Sequence, residues 1–249
     1  MQFTIGTADV TVNIPDKAAL VRAVVERLRD NRGFALATLN LDHLTKLNSP
    51  EFARAYAAQD FVVADGNPIV WLSRLAGRPV SLLPGSDLVV PLAQIAAREG
   101  VSVALLGSTP EALDHAAAAL RAMVPDLRVA LQQAPPFGFD PEGEEALEAL
   151  GSVAVSGAGL CFIALGAPKQ ELLAARGRRE VPHVGFASIG AGLDFLAGTQ
   201  KRAPRWVRRL AMEWLWRMLG DPSRLVARYA RCAAILPGLT LRALRLRSQ

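Results

Sequence analysis

The chain has 249 residues and a formal net charge of +5, and 51% of its residues are hydrophobic, which is enough for one large domain or a domain with an appendage. No apolar run approaches the roughly 18–20 residues that span a bilayer, and Met1–Val10 lacks the basic start and apolar stretch of a signal peptide. Cys161 and Cys232 match no metal-ligand spacing, so we expect both to be reduced core residues of a cytosolic protein.

The chain begins with a segment, Phe3–Ile14, whose alternating apolar and polar residues predict a small hairpin. Short apolar runs typical of buried strands then alternate with amphipathic helical patterns. The predicted strands are 33–39, 61–64, 101–106, 127–131, 160–165 and 184–187. The predicted helices are 17–30, 50–59, 67–76, 87–99, 110–123, 141–150 and 169–179. This alternation predicts an α/β fold with a mainly parallel, Rossmann-like sheet that is covered by helices on both faces.

The first strand of this sheet ends in Thr38-Leu39-Asn40. Ligand sites of such sheets lie beyond the carboxyl ends of the strands. Thr38 and Asn40 are two residues apart and therefore face the same way in extended chain. Together they can grip sugar hydroxyls or a nucleotide, although Asn40 or Asp42 can equally serve as the N-cap of the next helix.

The second strand ends in Asp65-Gly66, where the chain must turn. Two interpretations of Asp65 are open. It can cap the helix that starts near Pro68, or it can act as a general base at the edge of the sheet.

Two further segments, Gly85-Ser86-Asp87 and Gly107-Ser108-Thr109-Pro110, read as turns that lead into helices. The free N–H groups of a helix start suit a diphosphate, but these segments can also be simple turns. Neither matches a P-loop or the G-x-G-x-x-G fingerprint, which disfavours a dinucleotide-dependent oxidoreductase.

The strand at 160–165 is followed by Gly166-Ala167-Pro168-Lys169-Gln170-Glu171, a turn and a helix start. The Gln170 amide can both donate to and accept from a ligand, and Lys169 can meet phosphate or stay solvated. The histidines have no carboxylate or cysteine at triad or ligand spacing, and the sequence has no HExxH or D-x-D motif. We expect no metal site and no cofactor.

The C-terminal end carries most of the basic charge. Lys201–Gln249 has twelve Lys and Arg against two Asp and Glu, whereas residues 1–200 have 16 against 21. Because large apolar residues are interleaved with these arginines, the segment suits an anionic membrane surface, although a packed helix pair with a basic outer face explains the pattern equally well. Nucleic acid is disfavoured because no binding motif accompanies the charge. We divide the chain into a catalytic domain, 1–200, and an amphipathic helical appendage, 201–249.

Taken in order and spacing, these segments resemble the WecG/TagA/CpsF family of bacterial glycosyltransferases (glycosyltransferase family 26) from about Gly33 to Leu236. The matching motifs are Thr38-Leu39-Asn40, Ala64-Asp65-Gly66-Asn67-Pro68, Pro84-Gly85-Ser86-Asp87, Leu106-Gly107-Ser108, Gly166-Ala167-Pro168-Lys169-Gln170-Glu171, Gly190-Ala191-Gly192, Arg202-Ala203-Pro204, Glu213-Trp214, Asp221-Pro222-Ser223-Arg224 and Arg228-Tyr229.

The resemblance implies a metal-independent, inverting transfer of a sugar from a UDP-sugar, usually UDP-N-acetylmannosamine. The acceptor would be a saccharide on polyprenyl diphosphate, at the inner face of the cell membrane. Asp65 is then the candidate general base. Arginines at the start of the appendage would stabilise the UDP leaving group and close over the site. The predicted substrate-binding residues are Thr38, Asn40, Asn67, Asp87, Gly107, Ser108, Phe137, Gln170, Arg202 and Arg205, with Arg208 as a further phosphate ligand.

Two segments depart from the family pattern. The arginine that often precedes the Gly-Ser-Asp segment is missing from Ser81-Leu82-Leu83-Pro84, and the usual Gly-Tyr-Phe reads Phe137-Gly138-Phe139. A donor of glucose or glucuronic acid, used in exopolysaccharide assembly, is therefore an alternative to the N-acetylmannosamine donor. The missing arginine also supports an alternative, a nonenzymatic peripheral-membrane protein that binds nucleotide sugars. Exposed apolar helix faces would favour homo-oligomers.

Overall fold

A computed structural model of the chain describes residues 1–6, 8–200, 202–204, 206–207 and 210–247, with backbone alone at Arg217 and Arg224. Its centre is a six-stranded sheet in which every neighbouring pair is parallel, in the order β4-β3-β8-β7-β5-β6. The strands are β3 (Phe34–Leu39), β4 (Phe61–Ala64), β5 (Ser102–Gly107), β6 (Val129–Gln133), β7 (Ala158–Ala164) and β8 (Gly185–Ser188). The predicted α/β fold is confirmed.

Helices cover both faces of this sheet. They are α1 (Lys17–Arg29), α2 (Leu41–Lys46), α3 (Pro50–Ala57), α4 (Asn67–Leu75), α5 (Gly85–Arg98), α6 (Pro110–Met123), α7 (Glu144–Val155), α8 (Lys169–Glu180) and α9 (Gly192–Ala197). Successive residues of β3 face opposite sides, so Phe34 and Leu36 join the core under α1, α5 and α6. Ala37 and Leu39 join the core under α2, α3 and α4.

The predicted N-terminal hairpin is also confirmed. Strands β1 (Gln2–Ile5) and β2 (Ala8–Thr11) pair antiparallel. Phe3 and Val10 face each other across the pair and are buried in the same cluster as Leu39. The hairpin therefore closes the core on the α2–α4 side of the sheet.

The C-terminal segment forms two helices, α10 (Glu213–Gly220) and α11 (Pro222–Arg247). Helix α11 lies against α2 and α4 and buries a stripe of residues at roughly heptad spacing. The buried stripe consists of Leu225, Cys232, Leu239 and Ala243. Helix α10 is held to α11 by the edge-to-face contact of Trp214 with Tyr229, whose ring centroids are 5.8 Å apart. The packed-helix interpretation of this segment is therefore realised.

Large apolar side chains stay exposed on these two helices and on the segment before them. They include Trp206, Leu210, Trp214, Trp216, Leu219, Val226, Leu241 and Leu244. Within the described residues, none of the helices has the length and apolar character needed to cross a membrane. Packing against the body thus leaves these apolar side chains exposed.

Candidate active site

The carboxyl edge of the sheet brings the starts of several helices together. The Leu83 N–H donates to the Ala64 carbonyl at 2.8 Å, so the segment before α5 runs beside the end of β4. At Gly85, the first residue of α5, an added Cβ would lie 3.2 Å from Thr38 Cγ2 and 3.2 Å from Ile189 backbone atoms. The glycine thus allows α5 to begin in close contact with the ends of β3 and β8.

Asp65 stands directly after β4 and does not occupy the N-cap of α4. That cap is Gly66, at a φ of 103°, and no described side chain caps the helix. The Asp65 N–H donates to the Leu39 carbonyl at 2.8 Å, and its Oδ2 accepts from the Thr38 hydroxyl at 3.5 Å. Of the two interpretations of Asp65, capping is therefore not realised, and the half-buried carboxylate lies next to a predicted pocket residue.

Asn40, a predicted site residue, is also a helix cap. Its Oδ1 accepts from the His43 N–H at 3.0 Å, and Asn40 is the N-cap of α2. Gly66 Cα lies close beside it, because a Cβ added there would be 3.8 Å from Asn40 Cβ. The two interpretations of Asn40 are therefore compatible, since a cap at the end of β3 also faces the end of β4.

Gln170 is buried and joins two strand ends. Its Oε1 accepts from the Gly190 N–H at 3.0 Å, and its Nε2 donates to Glu171 Oε1 at 2.7 Å. Burial raises the pKa of Glu171 to about 7, against the hydrogen bond from Gln170, which lowers it. Gln170 therefore fixes the loop after β8, and half of its hydrogen-bonding capacity is used within the protein.

The turn after β5 requires its glycine. Gly107 has a φ of 119°, and an added Cβ would lie 2.4 Å from the Ala164 carbonyl oxygen of β7. The next residue, Ser108, has a φ of 57° and donates its hydroxyl in a short hydrogen bond to Asp194 of α9. Thr109 caps α6. In the turn that was predicted to bind a diphosphate, the Ser108 hydroxyl therefore lies beside the Asp194 carboxylate.

Arg202 reaches the start of α5. Its Nη1 lies 2.5 Å from Asp87 Oδ1, and its guanidinium stacks over the Phe195 ring at 5.7 Å. Two predicted site residues, Arg202 and Asp87, are therefore brought together. Arg205 and Arg208 lie outside the described residues.

The remaining predicted site residues differ in how far they are buried. Asn67 is the first residue of α4 and is half-buried next to the Asp65 turn. Phe137 is fully exposed in the loop after β6, while Phe139 is buried. That loop is tied to the start of α8, because Lys169 Nζ donates to the Phe139 carbonyl at 2.6 Å.

Leu82 bridges to Ala64 and is 38% exposed, so the position lacking the family arginine borders Asp65.

Sequence reasoning missed several polar residues that the fold gathers behind these positions. They are Asp42, His43, Tyr56, Glu171 and Asp194. Asp42 is ion-paired with Lys46 at 2.7 Å and with Arg228 of α11 at 3.0 Å. Burial works to raise the pKa of Asp42, but these two cations hold it below its ordinary value. The one signal in the sequence was position, since Asp42 and His43 lie two and three residues after Asn40.

A polar edge of this kind, at the carboxyl ends of a parallel sheet, places the protein among α/β proteins that bind ligands across their strand ends. A family model described as "Glycosyl transferase WecG/TagA/CpsF family" matches residues 5–249, nearly the whole chain. The chain therefore belongs to the WecG/TagA/CpsF family and is a glycosyltransferase.

Proposed function

We propose that the chain is an inverting glycosyltransferase that moves a hexose-type sugar from a UDP-sugar to a saccharide on polyprenyl diphosphate. One observation carries the proposal within the family. Asp65 lies at the carboxyl end of β4 beside the Thr38 hydroxyl, while Gly66 occupies the cap position of α4. The carboxylate is therefore not used to start the helix and can act as a base.

In this reaction Asp65 takes the proton of the acceptor hydroxyl. The acceptor oxygen then forms a bond to the anomeric carbon from the face opposite UDP, and the bond from that carbon to the diphosphate oxygen breaks. The electron pair stays on UDP, and the configuration of the sugar is inverted. Thr38, which donates to the carboxylate at 3.5 Å, orients Asp65 toward the acceptor.

The departing UDP gains charge that the protein must stabilise. Because the family resemblance implies metal-independent transfer, we assign this task to Arg202 and to backbone N–H groups. Arg202 pairs with the exposed Asp87, so UDP phosphates would compete with that carboxylate. We assign sugar hydroxyls rather than phosphate to the turn at Ser108, because Asp194 accepts from hydroxyls and repels phosphate.

We further propose that the appendage brings the enzyme to the inner face of the cell membrane, where it meets its lipid-linked acceptor. Exposed Trp216 and Leu219 on α10 support this role, together with the basic charge of residues 201–249. The product would be an intermediate of a cell-surface polymer or exopolysaccharide. Closure of the appendage over the site and assembly into homo-oligomers stay predictions.

The proposal is tested by incubating the protein with a short-chain polyprenyl-diphosphate saccharide and, in turn, UDP-N-acetylmannosamine, UDP-glucose and UDP-glucuronic acid. We expect one donor to yield UDP and an acceptor that is heavier by one glycosyl unit in mass spectrometry. Binding of the UDP-sugars without any product would instead support the nonenzymatic binding protein.

A further inference from the structure

His43 occupies a buried position directly behind Thr38 and Asn40. It is 5% exposed, and its Nδ1 lies 2.6 Å from the Thr38 carbonyl oxygen and 2.7 Å from Tyr56 Oη. The Tyr56 hydroxyl also lies 2.7 Å from the Thr38 carbonyl and donates to it. One carbonyl at the end of β3 is thus held by two side chains, one from α2 and one from α3.

These contacts determine the tautomer of the imidazole. A carbonyl oxygen can only accept, so an Nδ1 at 2.6 Å from the Thr38 oxygen must carry a proton. Burial lowers the pKa of His43 to about 4, so the ring is neutral at pH 7 and its Nε2 carries a lone pair. Nε2 therefore acts as an acceptor.

The lone pair on Nε2 determines the orientation of the Asn40 amide. Asn40 Nδ2 lies 3.5 Å from His43 Nε2, while Asn40 Oδ1 accepts from the His43 N–H at 3.0 Å. With the amide in this orientation, one hydrogen of Nδ2 points to His43. The second hydrogen is left for a ligand of the half-buried Asn40.

We propose that His43, as the neutral Nδ1–H tautomer, is a positioning residue that fixes Thr38 and Asn40 for the sugar nucleotide. It holds the backbone of Thr38 with Nδ1 and aims the amide of Asn40 with Nε2. Tyr56 supports the same carbonyl with its hydroxyl, which lies beside Nδ1. The inference rests on the proposed function, because Thr38 and Asn40 act there as substrate contacts.

Two substitutions test the roles of the two ring nitrogens of His43 separately. In His43→Asn the amide donor replaces Nδ1 and the contact with Asn40 is lost, whereas in His43→Gln the amide oxygen replaces Nε2 and the Thr38 bond is lost. We expect each to lower kcat/KM on the order of tenfold, because small misplacements of site groups are costly. His115→Asn, on the exposed side of α6, is the matched control and should leave kcat/KM unchanged.

A double-mutant cycle tests whether His43→Asn acts through the amide of Asn40. Asn40→Ser keeps a good N-cap but removes the amide. We expect His43→Asn to lower kcat/KM in the wild-type background and to have little further effect in the Asn40→Ser background. An equal loss in both backgrounds, as a general structural defect would give, overturns the proposal.

A second readout does not depend on turnover. Nitrogen NMR of the imidazoles at pH 7, with the His43 signal assigned from its loss in His43→Asn, should show a protonated Nδ1 and a bare Nε2. An Nε2–H tautomer or an imidazolium overturns the proposal whatever the activity. If the wild type transfers no sugar, the proposed function fails by itself. The double-mutant cycle is then measured on the Kd for UDP-sugar. A smaller effect of His43→Asn in the Asn40→Ser background supports the positioning role, and an equal effect in both backgrounds overturns it.

Discussion

Arg228 of α11 lies 3.0 Å from Asp42 of α2, two residues after Asn40. Asp42 also binds Lys46 at 2.7 Å, and Lys46 Nζ donates to the Ala167 carbonyl at 3.1 Å. The C-terminal helix is therefore linked by charge to the strand end that carries Asn40 and to the turn before Gln170. We therefore expect the packing of α11 against the body and the geometry of this edge to be coupled through these contacts.

Replacing Arg228 tests the coupling. Arg228→Gln leaves Asp42 with Lys46 alone, and we expect a loss of about 1–2 kcal/mol in unfolding free energy, since an ion pair to a buried carboxylate is lost. We also expect faster proteolysis within α11. Arg231→Gln is the control, because Arg231 is exposed and its Nε donates to the Ala227 carbonyl of its own helix. Equal stability of the two variants would show that the pair does not seat the helix.

The turn after β5 makes a steric prediction. Gly107→Ala places a Cβ 2.4 Å from the Ala164 carbonyl oxygen, so we expect a destabilisation above about 3 kcal/mol, in the range that marks a backbone clash. Gly100→Ala has a φ of +69°, in the left-handed helical region, with no atom within 4 Å of the added Cβ, and it should cost only about 1 kcal/mol. Urea denaturation of both variants measures the difference. Similar costs would mean that β5 and β7 do not approach as described.

The buried Glu171 makes the stability depend on pH. Burial raises its pKa from an ordinary 4.5 to about 7, so the folded state holds a proton that the unfolded state releases. The contribution is complete below about pH 4.5 and is lost as pH rises through 7, to a total of about 3 kcal/mol. Glu171→Gln mimics the protonated acid. We therefore expect it to match the wild type near pH 5 and to unfold at a higher temperature near pH 8.

The comparison must be made between variant and wild type at each pH, because His43 works in the opposite direction. Its lowered pKa, about 4, makes stability fall as pH drops below its ordinary value. Glu180→Gln, at the exposed end of the same helix, is the control and should not change the pH profile. A Glu171→Gln variant that is less stable than the wild type at pH 8 would contradict the buried neutral acid.

The apolar outer surface of α10 predicts membrane binding. The double variant Trp216→Ser and Leu219→Ser removes two exposed side chains, and we expect on the order of tenfold weaker binding to vesicles containing phosphatidylglycerol. Added salt should weaken binding of the intact chain, because it screens the basic surface. Leu147→Ser with Val155→Ser, two exposed residues of α7, is the matched control. Unchanged binding of the α10 variant in vesicle cosedimentation would show that this surface does not contribute to membrane binding.

Substitution is a cleaner test than truncation. Deleting 201–249 would also abolish vesicle binding, but it uncovers the core beneath Leu239 and Ala243, which are buried with α2 and α4 residues. The folding of such a truncated chain would have to be checked by circular dichroism before any vesicle result is interpreted.

The sequence predicted the sheet well because most of its strands are buried on both faces. Strands such as β3 and β7 read as continuous apolar runs, and their ends fall within two residues of the prediction. Helix α9 is six residues long, too short to show the hydrophobic periodicity of a helix, and the sequence therefore did not predict it. Helix α2 was expected only as an N-capped start after Asn40, which the Asn40–His43 bond confirms.

The site was predictable only where its residues directly follow strands. Thr38, Asn40, Asp65 and Gln170 meet at one edge because parallel strands end together. His43, Tyr56 and Glu171 lie within helices, and their burial against that edge depends on tertiary packing that no local pattern encodes. Asp194 meets Ser108 across 86 residues of sequence, for the same reason.

The central claim is that Asp65 is the base of a sugar transfer, and Asp65→Asn tests it most directly. The measurement is kcat for transfer from the accepted UDP-sugar, alongside calorimetric Kd for that donor, with Asp114→Asn on α6 as control. We predict that Asp65→Asn lowers kcat at least on the order of a hundredfold while Kd for the donor stays close to the wild-type value, as expected for a lost general base. Turnover of Asp65→Asn at the wild-type rate would contradict the account.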